Sequence, residues 1–136
     1  MKSVAECKDI IYNSIADSIL RSEISGGLYK DERPLGSTKE DIVVGMIDLS
    51  SGSVQAGTIN VNIYVPYMDV TIGGLVQKKP NHSRLRDLSR LALDLLEEIY
   101  FEDCSAWIAN QAEIKEPNLD SMFANFRMEI RAHETE

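Results

Sequence analysis

The chain has 136 residues, which fits one domain and leaves little room for two. Folding it leaves about 7,000 Å² exposed of roughly 22,000 Å² in the extended state, so a core forms without a disulfide or metal staple. A composition of 43% hydrophobic and 26% charged residues excludes collagen, a disordered tail and a disulfide scaffold, and a net charge of −8 repels the phosphate backbone of nucleic acids.

Residues 3–22 are predicted to form an amphipathic helix, because Val4, Cys7, Ile11, Ile15 and Ile19 recur at steps of three and four. Ser3 and Glu6 are spaced as a capping box, and Gly26-Gly27 is read as the end of the element. Residues 28–34 can supply one short edge strand, stopped by Pro34 because proline has no amide to donate. Residues 41–49 are apolar on both sides, with Ile42, Val44 and Met46 facing one way and Val43, Ile47 and Leu49 the other. That suits a central strand or one covered at an oligomer interface. A Ser/Gly turn at 50–53 leads to residues 58–65, where Ile59, Val61, Ile63 and Val65 alternate with polar partners.

Residues 66–82 are long for a loop. They carry Tyr67, Met68, Val70, Ile72, Leu75 and Val76 around Gly73-Gly74, flanked by Pro66 and Pro80. Two readings fit: a projecting hairpin with a Gly-Gly turn, or a mobile arm that orders against a partner. A second helix is predicted over 83–101, with Leu85, Leu88, Ala92, Leu95, Leu96 and Ile99 on its apolar face and Asn81 or Ser83 as N-cap. Residues 104–115 and 122–132 close the chain as a strand pair around Pro117-Asn118. In the second of these, Met122, Ala124, Phe126, Met128, Ile130 and Ala132 face in. The expected fold is α+β: one domain over 1–136, a mostly antiparallel sheet with two helices packed on one face.

Little of the sequence is arranged for chemistry. Cys7 and Cys104 are far apart, and with His82 and His133 as the only histidines no zinc spacing exists. Two reduced, buried thiols are expected. There is no Walker loop, no GxGxxG and no GxSxG elbow. Asp48 reads as a solvated strand end, and Asp87 and Asp94 as a solvated helix side without a third ligand. His82 has the right intrinsic pKa for a base but reads as an exposed loop residue. Glu102 and Asp103 flank Cys104 and disfavour its thiolate. Trp107 reads as core or interface rather than a ligand platform. No enzyme activity, metal or cofactor is expected. The basic stretches Lys78-Lys79 and Arg84, Arg86, Arg90 are short and lack interleaved aromatics, so specific nucleic-acid binding is not expected, although DNA could pass without being gripped. Glu6, Lys8 and Asp9 interrupt any leader-like apolar run, and no membrane span is expected.

The predicted second helix places arginines in its first half and Asp94, Glu97, Glu98, Glu102 and Asp103 at and beyond its end, against the preference of the macrodipole. Either these small effects are unselected, or the two ends serve partners and allow head-to-tail contacts between copies.

The order of these elements resembles the tail-terminator and tail-completion proteins of tailed bacteriophages. The likeness runs through GGLYKDERP, EDIVVGMIDL, GTINVNIYVP, the helix SRLRDLSRLALDLLEEIY and the closing strand pair, and it includes Gly27-Leu28-Tyr29 running into Pro34. The resemblance implies a non-catalytic ring on the end of the tail tube, with its own copies, tail-tube proteins and head-connector proteins as partners. It implies residence in the bacterial cytoplasm, and in the virion if the gene is phage-borne. Tyr67, Met68, Val70, Ile72, Leu75, Val76, Arg84 and Arg86 are the expected oligomer contacts. The rival readings are a non-catalytic bacterial α+β binding domain and a small enzyme built from isolated carboxylates and His82.

Overall fold

The computed structural model describes residues 1–133; the last three positions of the expected domain lie outside the described residues. The first helical segment is α1 (Val4–Ala16). Ser3 Oγ accepts from the Glu6 amide at 3.1 Å and Glu6 Oε1 accepts from the Ser3 amide at 3.2 Å, which closes the expected capping box. The single helix expected over 3–22 is broken. Ser18 caps a separate short helix, α2 (Ile19–Glu23), by accepting from the Arg21 amide. The break rotates the apolar face, so that Leu20 is buried and Ile19 exposed.

Gly26-Gly27 lie beyond the helix end and serve another purpose. A Cβ at Gly26 would stand 2.1 Å from Asp41 Oδ1 and 2.3 Å from the Glu40 carbonyl oxygen. Only glycine allows that close approach. The chain then forms β1 (Leu28–Lys30), shorter than the expected 28–34 and parallel to β2 (Asp41–Leu49). Asp31, at φ 65°, turns the chain off the sheet before Pro34 is reached.

The centre of the sheet is an unbroken antiparallel pair of thirteen-residue strands, β3 (Val54–Pro66) and β8 (Ser121–His133). Ile59, Val61, Ile63 and Val65 share a face with Met122, Phe126, Met128 and Ile130, all buried as the alternation predicts. β3 begins four residues earlier than expected because Gln55 is buried. Its side chain accepts from the Lys2 amide at 2.6 Å and donates to the Lys2 and Ser50 carbonyls. β2 carries a bulge at Ile47. The extra residue moves Leu49 to the helix-covered face, where strict alternation had placed it opposite, and leaves Ile47 exposed.

After β3 come β4 (Met68–Ile72) and β5 (Leu75–Lys79), which pair only with each other, and then α3 (His82–Leu96), capped by Asn81. The helix starts one residue before the expected 83–101 and ends five residues before it. Its last expected turn is β6 (Glu98–Phe101), which pairs with the start of β7 (Cys104–Glu116) through a tight turn with Glu102 at φ 49°. A 3₁₀ turn at Pro117–Leu119 connects β7 to β8.

The six-stranded sheet therefore has the order β1-β2-β3-β8-β7-β6, mixed rather than purely antiparallel because of β1. The described residues form three α-helices, not two; α2 packs on α1 and α3, which cover the sheet. α1 lies over β1 and β2, and α3 over β3, β8, β7 and β6. Phe126 is the largest side chain in this core and is fully buried. Phe126→Ala is expected to destabilise the protein by about 3–5 kcal/mol, read as a lower denaturation midpoint at unchanged m-value.

Candidate functional site

The segment expected to be either a hairpin or a mobile arm forms a two-stranded hairpin. Its root is tied to the domain. The Tyr67 amide donates to the Asp120 carbonyl at 2.7 Å, and the Tyr67 ring packs against the core margin. At the tip, Gly73 and Gly74 have φ of +58° and +79°, the two consecutive positive values that a tight two-residue hairpin turn needs. Register divides the side chains between two faces. Met68, Val70, Ile72 and Leu75 share one face with Gln77 and Lys79, while Asp69, Thr71, Val76 and Lys78 share the other. Asp69 and Lys78 pair across the second face at 2.8 Å.

The hairpin packs essentially on itself. Ile72 is 47%, Leu75 68% and Val76 69% exposed. Of the expected interface residues, Met68, Ile72, Leu75 and Val76 are thus displayed, Val70 is half-buried, and Tyr67 belongs to the root.

The two arginines part company. Arg84 is engaged inside the chain. Its Nε donates to Glu40 Oε2 at 2.6 Å, and its guanidinium also reaches Glu40 Oε1 and the Glu23 carbonyl. The fork fits the carboxylate at two points, so little of Arg84 is left for a partner. Arg86 is exposed, 3.8 Å from Asp87. With Arg90, Leu93, Gln111 and Glu113 it lines a groove of about 250 Å³ between α3 and β7. The charge order of α3 is likewise met by side chains, through Arg84 to Glu40 and Arg90 to Asp94 at 3.0 Å.

The residues weighed for chemistry are not gathered in one place. Asp48 is exposed at the end of β2, and His82 is exposed in the first turn of α3. Asp87 and Asp94 pair with neighbouring arginines. His133 ends β8, its amide donating to the Asp103 carbonyl. Trp107 is half-buried on the sheet face away from the helices, with the Arg131 guanidinium 5.3 Å from its ring centre. Among the described residues no three histidine, cysteine or carboxylate side chains are placed to hold a metal ion. No helix among them is long and apolar enough to cross a membrane.

Both cysteines are free and buried. Burial pushes the Cys104 thiol up to about 11, with Asp103 adding to the shift and Lys2 opposing it. Burial also raises the Cys7 thiol.

Sequence reasoning passed over one feature. β6 pairs only with Cys104–Trp107, so β7 from Ile108 onward has β8 on one side and no strand on the other among the described residues. No sequence signal marked it, because 98–101 carry helical spacing; the edge is open because a thirteen-residue strand lies beside a four-residue neighbour.

No protein-family model matches the chain, and no curated protein sequence does. Among solved structures it is similar to a chain described as "Virion of native gene transfer agent (GTA) particle", with a TM-score of 0.62. The superposition covers 98% of this chain and 100% of that one at 12% identity, so the likeness is one of fold.

Two outcomes follow. Arg84→Met is expected to cost roughly 1–3 kcal/mol, because it leaves Glu40 buried without its cation, while self-association of the folded protein is unchanged. Sedimentation and chemical denaturation of the variant check both parts. The folded Cys104 thiol holds its proton above the pH at which the unfolded thiol, near its ordinary value of 9.0, releases it. Cys104 therefore contributes stability below about pH 9 that is lost as pH rises toward about 11. Denaturation midpoints should fall less steeply over that window in Cys104→Ala than in the wild type.

Proposed function

We propose that this chain is a non-catalytic structural protein of a phage-like particle: a tail-completion or terminator subunit that assembles with its own copies into a ring at the end of the tail tube and joins tail to head. The observation that carries the reading is the whole-length likeness of fold to a chain of a gene transfer agent virion.

The physical chemistry of the surface supports it. Each aliphatic side chain withdrawn from water contributes roughly 1.5–3 kcal/mol. A hairpin that keeps Ile72, Leu75 and Val76 in solvent forgoes that stabilisation unless a neighbour covers them. A net charge of −8 disfavours gripping DNA and is compatible with a ring through which a genome passes. The buried, protonated Cys104 and the isolated His82 fit a role without catalysis. On this reading the partners are copies of the chain, the tail-tube protein and the head connector. The protein is made in the bacterial cytoplasm and ends in the virion.

The test is assembly. Light scattering over a concentration series, alone and with purified tail-tube protein, is expected to show a closed oligomer. Ile72→Asp combined with Leu75→Asp should abolish it and leave the circular-dichroism spectrum unchanged, whereas His82→Ala should assemble normally. A wild-type chain that remains monomeric and is not recruited by tail tubes would overturn the proposal in favour of a monomeric binding domain.

A further inference from the structure

Two surfaces of this chain lack partners, and each has what the other needs. The first is the open edge of β7. After a bulge at Ala109, residues Asn110–Glu116 run in regular register with β8 and have no strand on their other side among the described residues. Such an edge presents alternating free N–H and C=O groups to any strand that approaches. The opposite edge of the sheet is blunted. There β1 covers only Ile42–Val44, and the rest of β2 is bent by its bulge at Ile47.

The second surface is the hairpin. An isolated two-stranded hairpin is marginally stable in water, and one with a displayed apolar face gains from a third strand. With Lys79 opposite Glu113, four of the five residues of β5, Val76–Lys79, pair within the Asn110–Glu116 edge in either direction. Charge distinguishes β5 from β4 as the docking strand. β5 ends in Lys78-Lys79, with Lys79 on the apolar face, and the helix-side face of the open edge carries Glu113. Beside that edge lies the groove lined by Arg86, Arg90 and Leu93 of α3, an unfilled space for the apolar face to enter.

We infer that β5 of one copy adds to the Asn110–Glu116 edge of β7 in the next, extending the six-stranded sheet across the subunit boundary. Met68, Val70, Ile72 and Leu75 then cover Leu93 and the aliphatic stems of Arg86 and Arg90, and Lys79 meets Glu113. Donor and acceptor surfaces lie at different places on the chain, so the contact is head-to-tail and repeats from copy to copy. This rests on the self-assembling subunit proposed above and names its joint.

Crosslinking tests the joint on the full chain. Gln77→Cys protein is mixed with Gln111→Cys or Lys115→Cys protein under mild oxidation; the native thiols are buried and do not compete. One of the two mixtures should give a crosslinked dimer, with Gln111→Cys reporting parallel and Lys115→Cys antiparallel addition. Glu113→Lys or Lys79→Glu alone should weaken assembly, and a chain carrying both should regain it. Amide exchange of residues 110–116 should slow by about tenfold or more on assembly. If the wild type assembles but neither mixture crosslinks and the edge amides stay unprotected, the joint lies elsewhere and this inference falls while the proposed function stands. If the wild type never associates, alone or with tail tubes, both fall.

Discussion

Two adjacent carboxylates at the start of β2 hold the molecule together in a way that burial alone does not. Asp41 is 1% exposed, and its oxygens accept from the Gly27 amide at 3.0 Å and from Ser37 Oγ, with Arg33 alongside. Glu40 takes the Arg84 fork and the Ser25 amide. Through these bonds the segment after α2, the loop over 31–40 and the start of α3 are tied to one point on the sheet. A buried carboxylate without partners is costly, so each group that satisfies it is held in place. Gly26 follows from the same constraint, since any side chain there would displace the Asp41 carboxylate.

That anchor also organises the sheet face turned away from the helices. Arg33, fixed beside Asp41, stacks on Tyr64 with 3.9 Å to the ring centre, and Tyr64 in turn lies 4.8 Å from Phe123. Further along, Asn125 donates to Asn60 and Asn62 across the strands. One end of this face is therefore covered by aromatic and guanidinium planes, and its middle is a polar ladder of Asn60, Asn62 and Asn125 beside Arg127.

The rest of the surface divides into satisfied and unsatisfied parts. Salt bridges such as Lys8–Asp31 and Lys2–Asp103 close the α1 side within the chain. The hairpin and the β7 edge are not closed in this way. One displays apolar side chains and the other backbone polar groups, and the joint inferred above would remove both deficits at once.

Much of this was legible in the sequence. The alternation of Ile59–Val65 and Met122–Ala132 identified the two central strands and their shared face, because a period of two has one structural meaning when one side is buried. The Ser3–Glu6 box, the Asn81 cap and the Gly73-Gly74 turn are local devices whose bonds span only a few residues, so composition and spacing suffice to place them. Tertiary structure alone decided where helical periodicity gives way. Ile99 continues the apolar spacing of α3, yet the chain leaves the helix after Leu96 because pairing with β7 satisfies its backbone. The Ile47 bulge, the parallel seating of β1 and the capture of Arg84 by Glu40 likewise depend on partners distant in sequence. The open edge of β7 is the clearest case, since it exists because β6 begins only at Glu98, opposite Trp107, the chain before it being helix α3. Local preferences determined the pieces and their inward faces; which backbone groups and charges remained for another molecule was decided only once the pieces had met.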